Sequence, residues 1–366
     1  MQQFNIQHFT LKLKSAILTL FMLIMTSFSA TAEHSTENNH EDKGFNAGEL
    51  IMHHVMDNHE IHIGPLHIPL PIILYSKEKG FDFFMSSNLT HGNSYNGYAM
   101  VHEKIYHVGA EGELSHDEHG HIVADRPLDL SITKSVFGML LTMGIMLFVF
   151  ISISNSYKKR ERMAPQGMQS FFEPLILFVK DEIAKPSIGK KYQKFLPYLL
   201  TIFFFIWIGN MLGLIPFIGG FNVTGNIAVA LVLALFTFVI TSVNGNKDYW
   251  KHIYNTPGVP WWLKFPIPLM FVIEFIGFIS KPVVLTLRLF ANITAGHIII
   301  LSFVSLIFIF NNLYGAGGGY GVSILSVAFS IFMFAIELLV AFLQAYVFTL
   351  LSALYFGSAV EEHHAH

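Results

Sequence analysis

The C-terminal part of the chain holds two apolar stretches too long for any upright membrane helix. Residues 265–310 carry three charged groups, Glu274, Lys281 and Arg288, and residues 322–357 carry one, Glu337. At 1.5 Å per residue, 36 helical residues run about 54 Å, against a hydrocarbon core of about 30 Å. Each stretch must therefore break or lie far over, and an unusually large tilt has to be held by something other than lipid. NNLYGAGGGYG at 311–321 is the expected Gly-rich turn between them. A composition of 52% hydrophobic and 13% charged residues over 366 positions fits the same class, an all-α polytopic membrane protein. The net charge of -3 gives no basic excess and so no sign of nucleic acid, and the lack of cysteine excludes disulfides and thiolate metal sites.

At the other end, Lys12 and Lys14 precede AILTLFMLIMTSFSA, and Ala30-Thr31-Ala32 stands before Glu33. That pattern reads as a signal peptide over 1–32, with an uncleaved first membrane helix as the other reading. Either sends residues 33–126, with 13 of the 19 histidines, to the extracytoplasmic side. The second half of that segment, SYNGYAMVHEKIYHVGAEGELSHDEHGHIV, reads as short strands broken by Gly. The membrane domain then occupies 127–366.

A first span is expected at 131–153, ending at Lys158, Lys159, Arg160 and Arg162, which mark the cytoplasmic side. Lys and Arg number nine in 157–194 and three in 244–264, with none in 218–224 or 311–321. This alternation predicts further spans at 195–217 and 225–243, then the two long stretches, about five segments in all. The last two form a long, strongly tilted helical hairpin, with the C-terminus cytoplasmic. In the first cytoplasmic loop, MQSFFEPLILFVKDEIAK puts Phe171, Phe172, Leu175, Ile176, Val179 and Ile183 near one side of a helix. Such a helix either lies on the membrane surface or packs on the other helices.

A charged group at membrane depth costs at least ~2.5 to 3.5 kcal/mol, so it should face protein or a water-filled cavity. Glu274, Lys281 and Arg288 recur every seven residues, within about 40° around a helix, and Asn292 continues the stripe. Glu337 and Gln344 repeat the spacing on the final helix. His297 and Glu337 flank the turn at comparable depth, which allows a Glu–His pair. Glu274 with Lys281 allows an ion pair that only fixes packing, and His297 with Glu337 a buried pair without proton traffic. Arg288 stays charged at any accessible pH, and no acid lies within two turns of it in sequence. Its partner is expected on another subunit.

LTLRLFANITAGH, IGNMLGLIPF at 208–217 and ELLVAFLQAYVFTLLSALYFG at 337–357 together resemble subunit a of the membrane sector of F-type ATP synthases, over roughly 128–360. The resemblance implies a proton-translocating stator in a bacterial cell inner membrane, beside a ring of c subunits. It implies contacts with subunit b of the peripheral stalk, other synthase subunits and membrane lipid, and none with nucleic acid. Two offset half-channels would lead to the ring carboxylate, with Arg288 between them. Asn292, His297, Glu337, Gln344 and Glu274 match positions along the ion path, with Lys281 and Asn210 as possible supports. Other family members carry the acid first and the histidine second, so His297 and Glu337 are an exchanged pair. Gly213 stands where some members carry an acid, and Gly209 with Gly213 forms a GxxxG spacing suited to close helix contact. No nucleotide loop of the GxxxxGK[ST] kind occurs, so the chain is expected to have no catalytic site of its own, no cofactor and no metal.

Alternatives remain open at this level: sodium in place of protons, and a secondary transporter with a coupling site at the same charges, although no internal repeat is visible. His116, His119 and His121, with His53 and His54, read as solvated surface histidines or as a transition-metal cluster.

Overall fold

The structure is a computed structural model that describes residues 45–63, 66–77, 79–89, 93–101, 103–108, 122–159, 163–215, 220–254 and 269–361. The signal-like segment 1–32, the HDEHGH run and the side chains of His53 and His54 lie outside the described residues. The chain divides into two compact units.

The first unit is built on the described residues of 57–135. Its strands are β1 (Glu60–Ile63), β2 (Leu66–Pro69), β3 (Pro71–Ser76), β4 (Gly80–Met85), β5 (Tyr98–Val101), β6 (Lys104–His107) and β7 (Leu128–Asp129). They form a three-stranded antiparallel sheet in the order β4-β3-β7 and two hairpins, β1-β2 and β5-β6. The strands expected in 94–123 are present as β5 and β6, while the three-stranded sheet lies outside that stretch. Its signal is the period-two alternation of PIILYS, where Ile72 and Leu74 are fully buried and Tyr75 is exposed. Ile72, Leu74, Phe84, Leu89, Tyr98 and Ile105 make the core. The Tyr98 hydroxyl donates to Asp82 Oδ2 at 2.7 Å, and burial together with that carboxylate pushes its pKa up to about 12. Asn96 and Gly97, both at positive φ, turn the chain into β5.

His59 is buried between two carboxylates, 3.5 Å from Glu103 and 3.5 Å from Asp129. Burial opposes its charge, but the two carboxylates outweigh it and push the imidazole pKa up to about 9, from 6.5. Asp129 moves the other way, because bonds from His59 and Ser131 outweigh the burial that would raise it. The stabilisation from His59 is therefore complete below pH 6.5, its ordinary value, and disappears as pH climbs through about 9. Amide hydrogen exchange in β5, β6 and β7, followed from pH 6 to pH 10 with rates corrected for intrinsic pH dependence, is expected to lose protection over that window. His59→Gln should flatten the change; an equal loss in the variant would refute the assignment.

The second unit holds the long helices, together with α1 (Ala47–Val55). These are α2 (Lys134–Lys159), α3 (Met168–Phe178) running through a π-helical turn (Val179–Ala184) into α4 (Lys185–Ile188), α5 (Tyr192–Leu214), α6 (Ile227–Val243), α7 (Lys247–Tyr254) and α8 (Leu269–Val360). Val179 and Ile183 of the π-helical turn are fully buried, and that turn packs on α5 and α8, while Phe171 is exposed. The segment is thus a packing helix rather than one that lays its whole apolar side on the membrane. Phe150, Phe172, Phe204 and Trp207 of α2, α3 and α5 meet in an aromatic cluster with ring separations from 4.9 to 6.3 Å. Asn226 caps α6 by accepting from the Ala228 amide at 3.0 Å, and Asn246 caps α7 through the Tyr249 amide at 2.7 Å.

Among the described residues three helices are long and apolar enough to cross a membrane, at 134–159, 168–214 and 270–360, and a fourth if α6 and α7, bent by 105°, are one span. The last counts twice, because α8 doubles back. Arg288 meets Gln344, His297 meets Glu337, and Phe303 stacks on Phe329, contacts that converge on Gly315. Gly315 alone leaves the helical region, at φ 67 and ψ -170, a conformation costly for any residue with a Cβ. The expected loop at 311–321 is therefore helical except at one residue. A single left-handed glycine interrupts the hydrogen-bond ladder enough to reverse direction, so its neighbours stay helical. Pro282 is also accommodated within the helix, and the Thr286 hydroxyl donates to its carbonyl at 2.8 Å.

Candidate functional site

The sequence-predicted residues fall into two groups along the first arm of α8. Glu274 and Lys281 attract each other through space but form no ion pair within 4.0 Å. Glu274 Oε2 lies 3.9 Å from His252 of α7, and the Lys281 ammonium sits over the rings of Tyr249 and Tyr355, at 5.5 and 5.2 Å. Both fasten α7 and the end of α8 to the first arm, since a cation over an aromatic face is stabilised without a carboxylate.

Further along, Leu285, Leu289 and Ile293 are buried, which turns the stripe of Arg288 and Asn292 away from the packed side. Arg288 is exposed, flanked by exposed Val284 and Leu287. Among the described residues no carboxylate lies within 4.0 Å of its guanidinium. Its main chain is nevertheless fixed. Buried Gln344, on the returning arm, donates from Nε2 to the Arg288 carbonyl at 2.6 Å and accepts at Oε1 from Asn292 Nδ2 at 3.1 Å. One amide thus pins the backbone under the arginine and orients its neighbour.

Two turns toward Gly315, His297 Nδ1 lies 2.5 Å from Glu337 Oε1, and Glu337 is only 3% exposed. The Ile293 carbonyl, 3.1 Å from the same nitrogen, competes for its hydrogen, and the Gly213 carbonyl of α5 faces the ring as well. Neither Glu337 oxygen has a well-directed donor among the described residues, so this buried carboxylate is short of hydrogen bonds. Gly296 makes room for it: a Cβ there would stand 2.8 Å from Glu337 Oε1. Asn210 is buried on α5, accepting from the Thr224 hydroxyl, and its Nδ2 has no acceptor among the described residues. Gly209 beside it would meet Thr142 only at 3.7 Å with an added Cβ, an ordinary contact, so the GxxxG spacing does not mark an especially close approach there.

A set of residues that sequence reasoning missed runs from the turn toward this pair. The hydroxyls of Ser305, Ser326, Ser330 and Thr294 are buried and have no partner among the described residues. Ser326, Ser330, Glu337 and Gln344 fall within about 40° around the second arm, the one signal that would have found them. Isolated serines in a membrane helix ordinarily bond their own backbone, as Ser302 does to the Ile298 carbonyl at 2.7 Å, and so attract no notice.

Among the described residues no three histidine, cysteine or acidic side chains come together as a metal site.

Residues 136–357 match the family model described as ATP synthase A chain, and residues 50–130 match a domain of unknown function. The chain is 42% identical over 289 residues to a protein of Chlorobium phaeobacteroides strain DSM 266 named ATP synthase subunit a, covering 75% of this chain and 79% of that one. A protein of the same name from strain BS1 is 39% identical over 345 residues, 91% of this chain and 82% of the relative. One from Myxococcus xanthus is 41% identical over 259 residues, 68% and 80% of the two chains.

Proposed function

Because this chain belongs to the ATP synthase A chain family, as a multi-pass membrane protein in the role of subunit a, we propose that it conducts protons as the stator beside a rotating ring of c subunits. The observation that supports this reading is the exposed Arg288, with no carboxylate within 4.0 Å among the described residues, held from below by Gln344 and set near a buried acid–base pair.

A guanidinium on the outer face of an apolar helix is well stabilised when a neighbouring protein offers it a carboxylate. A ring carboxylate arriving there is held ionised, because an adjacent positive charge in a low-dielectric setting favours the anion. The same charge repels free cations, which separates an entry path from an exit path. On the entry side, His297 and Glu337 hand a proton between Nδ1 and Oε1, and the file of Ser326, Ser330 and Ser305 carries water toward them from the Gly315 end. Asn292 and Asn210 order that water. Each charge crossing is worth ~2.3 kcal/mol per 100 mV, so several protons combine for each ATP made elsewhere in the complex.

In this reading residues 1–32 are a signal peptide, residues 33–126 stand outside the cytoplasm, the basic end of α2 faces inward, and subunit b of the peripheral stalk binds the same chain in the inner membrane. Inverted vesicles test it. ATP addition should build an acid interior that a protonophore abolishes and that sodium does not affect. A gradient that only a sodium ionophore collapses would assign sodium instead. Undiminished pumping in membranes lacking this chain would overturn the stator reading altogether.

A further inference from the structure

The sheet of the first unit has two unlike faces. Directly opposed residues in antiparallel strands point to the same side, so the register builds three rungs. Leu128, Tyr75 and Phe81 make one. Leu130, whose amide donates to the Ile73 carbonyl at 2.9 Å, extends the pair Ile73 and Phe83. Ile132, bonded to the Pro71 carbonyl at 3.2 Å, does the same for Pro71 and Met85.

All nine residues are apolar or aromatic. Phe83 is 69% exposed, Phe81 60% and Leu128 59%, and the Tyr75 and Phe81 rings touch at 4.9 Å. The charged residues of these strands turn the other way: Asp82 receives the Tyr98 hydroxyl, and Asp129 holds His59. A continuous uncharged face of this kind on a folded sheet needs an occupant.

Chain continuity says which. Ile132 is two residues from Lys134, where the membrane helix α2 begins, and the backbone up to that point is tied to Asp57 and Asn58 of the same unit. The Ser135 amide and the Thr133 hydroxyl both donate to Asp57 at 2.9 Å, and the Lys134 amide donates to the Asn58 carbonyl at 2.8 Å. At about 3.3 Å per extended residue, the nearest rung lies within about 7 Å of the helix start and the farthest within about 20 Å. The headgroup layer adds roughly 5 to 8 Å beyond the hydrocarbon on each side, and Tyr and Phe partition there with their rings in the acyl boundary.

We propose that the face built by Tyr75, Phe81, Phe83, Met85, Leu128 and Leu130 lies on the phospholipid bilayer, immersed in the interface of the leaflet where α2 starts. The recognition is apolar and independent of headgroup charge, since no charged side chain belongs to the face. The inference rests only on the chain's place in the membrane and not on its ion path.

The chain lacks cysteine, so one introduced thiol takes one label. The full chain is reconstituted in phosphatidylcholine nanodiscs, with a nitroxide on Phe83→Cys or Phe81→Cys and, as a reference, on exposed Lys104→Cys of β6. Power-saturation EPR should give an oxygen-to-nickel-complex collision ratio several-fold higher at 81 and 83 than at 104, unchanged when a third of the lipid is anionic. Equal access of the nickel complex at all three positions overturns the proposal by showing a face open to water. Shielding from both oxygen and nickel overturns it too, because the cover would then be protein. All three substitutions sit at exposed positions, so folding is not at stake.

Discussion

In the assembled complex, Arg288→Ala is expected to bring ATP-driven pumping and ATP synthesis down at least about 100-fold, the scale of losing a preorganised charge at a reacting centre. The amount of complex recovered should not change. The guanidinium is exposed and has no carboxylate within reach among the described residues, while the contact that holds this turn uses the main-chain carbonyl, which alanine keeps. Arg288→Lys should stay strongly impaired, because a compact ammonium does not reproduce the planar fork or its weaker hydration. The readout is fluorescence-quench pumping in inverted vesicles, normalised to complex content. Coupled pumping that survived in the alanine variant would make the residue structural and remove the basis for two separated paths.

The second large effect belongs to Glu337. Glu337→Gln keeps volume and packing at a buried position but removes the proton acceptor 2.5 Å from His297. Pumping is expected to fall about 100-fold, in the range typical of losing a positioned acid or base. Gly296→Ala provides an independent check. Its methyl would press on the far end of the Glu337 side chain, which can swing aside, so the fold should survive while transport drops. The double exchange of His297→Glu with Glu337→His should restore pumping above either single variant, since the same two groups then meet in the other order. If the exchange is no better than the singles, the pair does not act as one proton-handling unit.

What was legible in the sequence was whatever repeats along a helix. The long apolar stretches, the seven-residue spacing of Glu337 and Gln344, and the isolation of Arg288 all follow from periodicity and from the cost of charge in hydrocarbon. The meeting of His297 with Glu337 followed from their distances to one turn. What failed depended on partners distant in the chain. Glu274 and Lys281 stand one helical stripe apart, yet His252, Tyr249 and Tyr355 claim them, and no local pattern announces such claims. The glycines at 311–321 suggested a loop, because composition cannot say that only one of them leaves the helical region. His59 was lost among the 13 histidines of residues 33–126, though burial and two carboxylates set it apart in three dimensions.

The reversal at Gly315 also bears on how such a site is made. Within α8 the polar pairs of the proposed path, Asn292 with Gln344 and His297 with Glu337, join the two arms of one hairpin, the first pair 52 residues apart, so neither waits for another helix. Contacts nested around a single bend close like a zipper, each shortening the loop left for the next, and this keeps the entropy of closure low. Insertion of the two arms together would bury Glu337 against His297 as they enter the bilayer, sparing the carboxylate a stage alone in lipid. Of the four charged residues on α8, Glu274, Lys281, Arg288 and Glu337, the arginine alone is then exposed, which in the proposed reading leaves it free to meet a carboxylate on a neighbouring subunit.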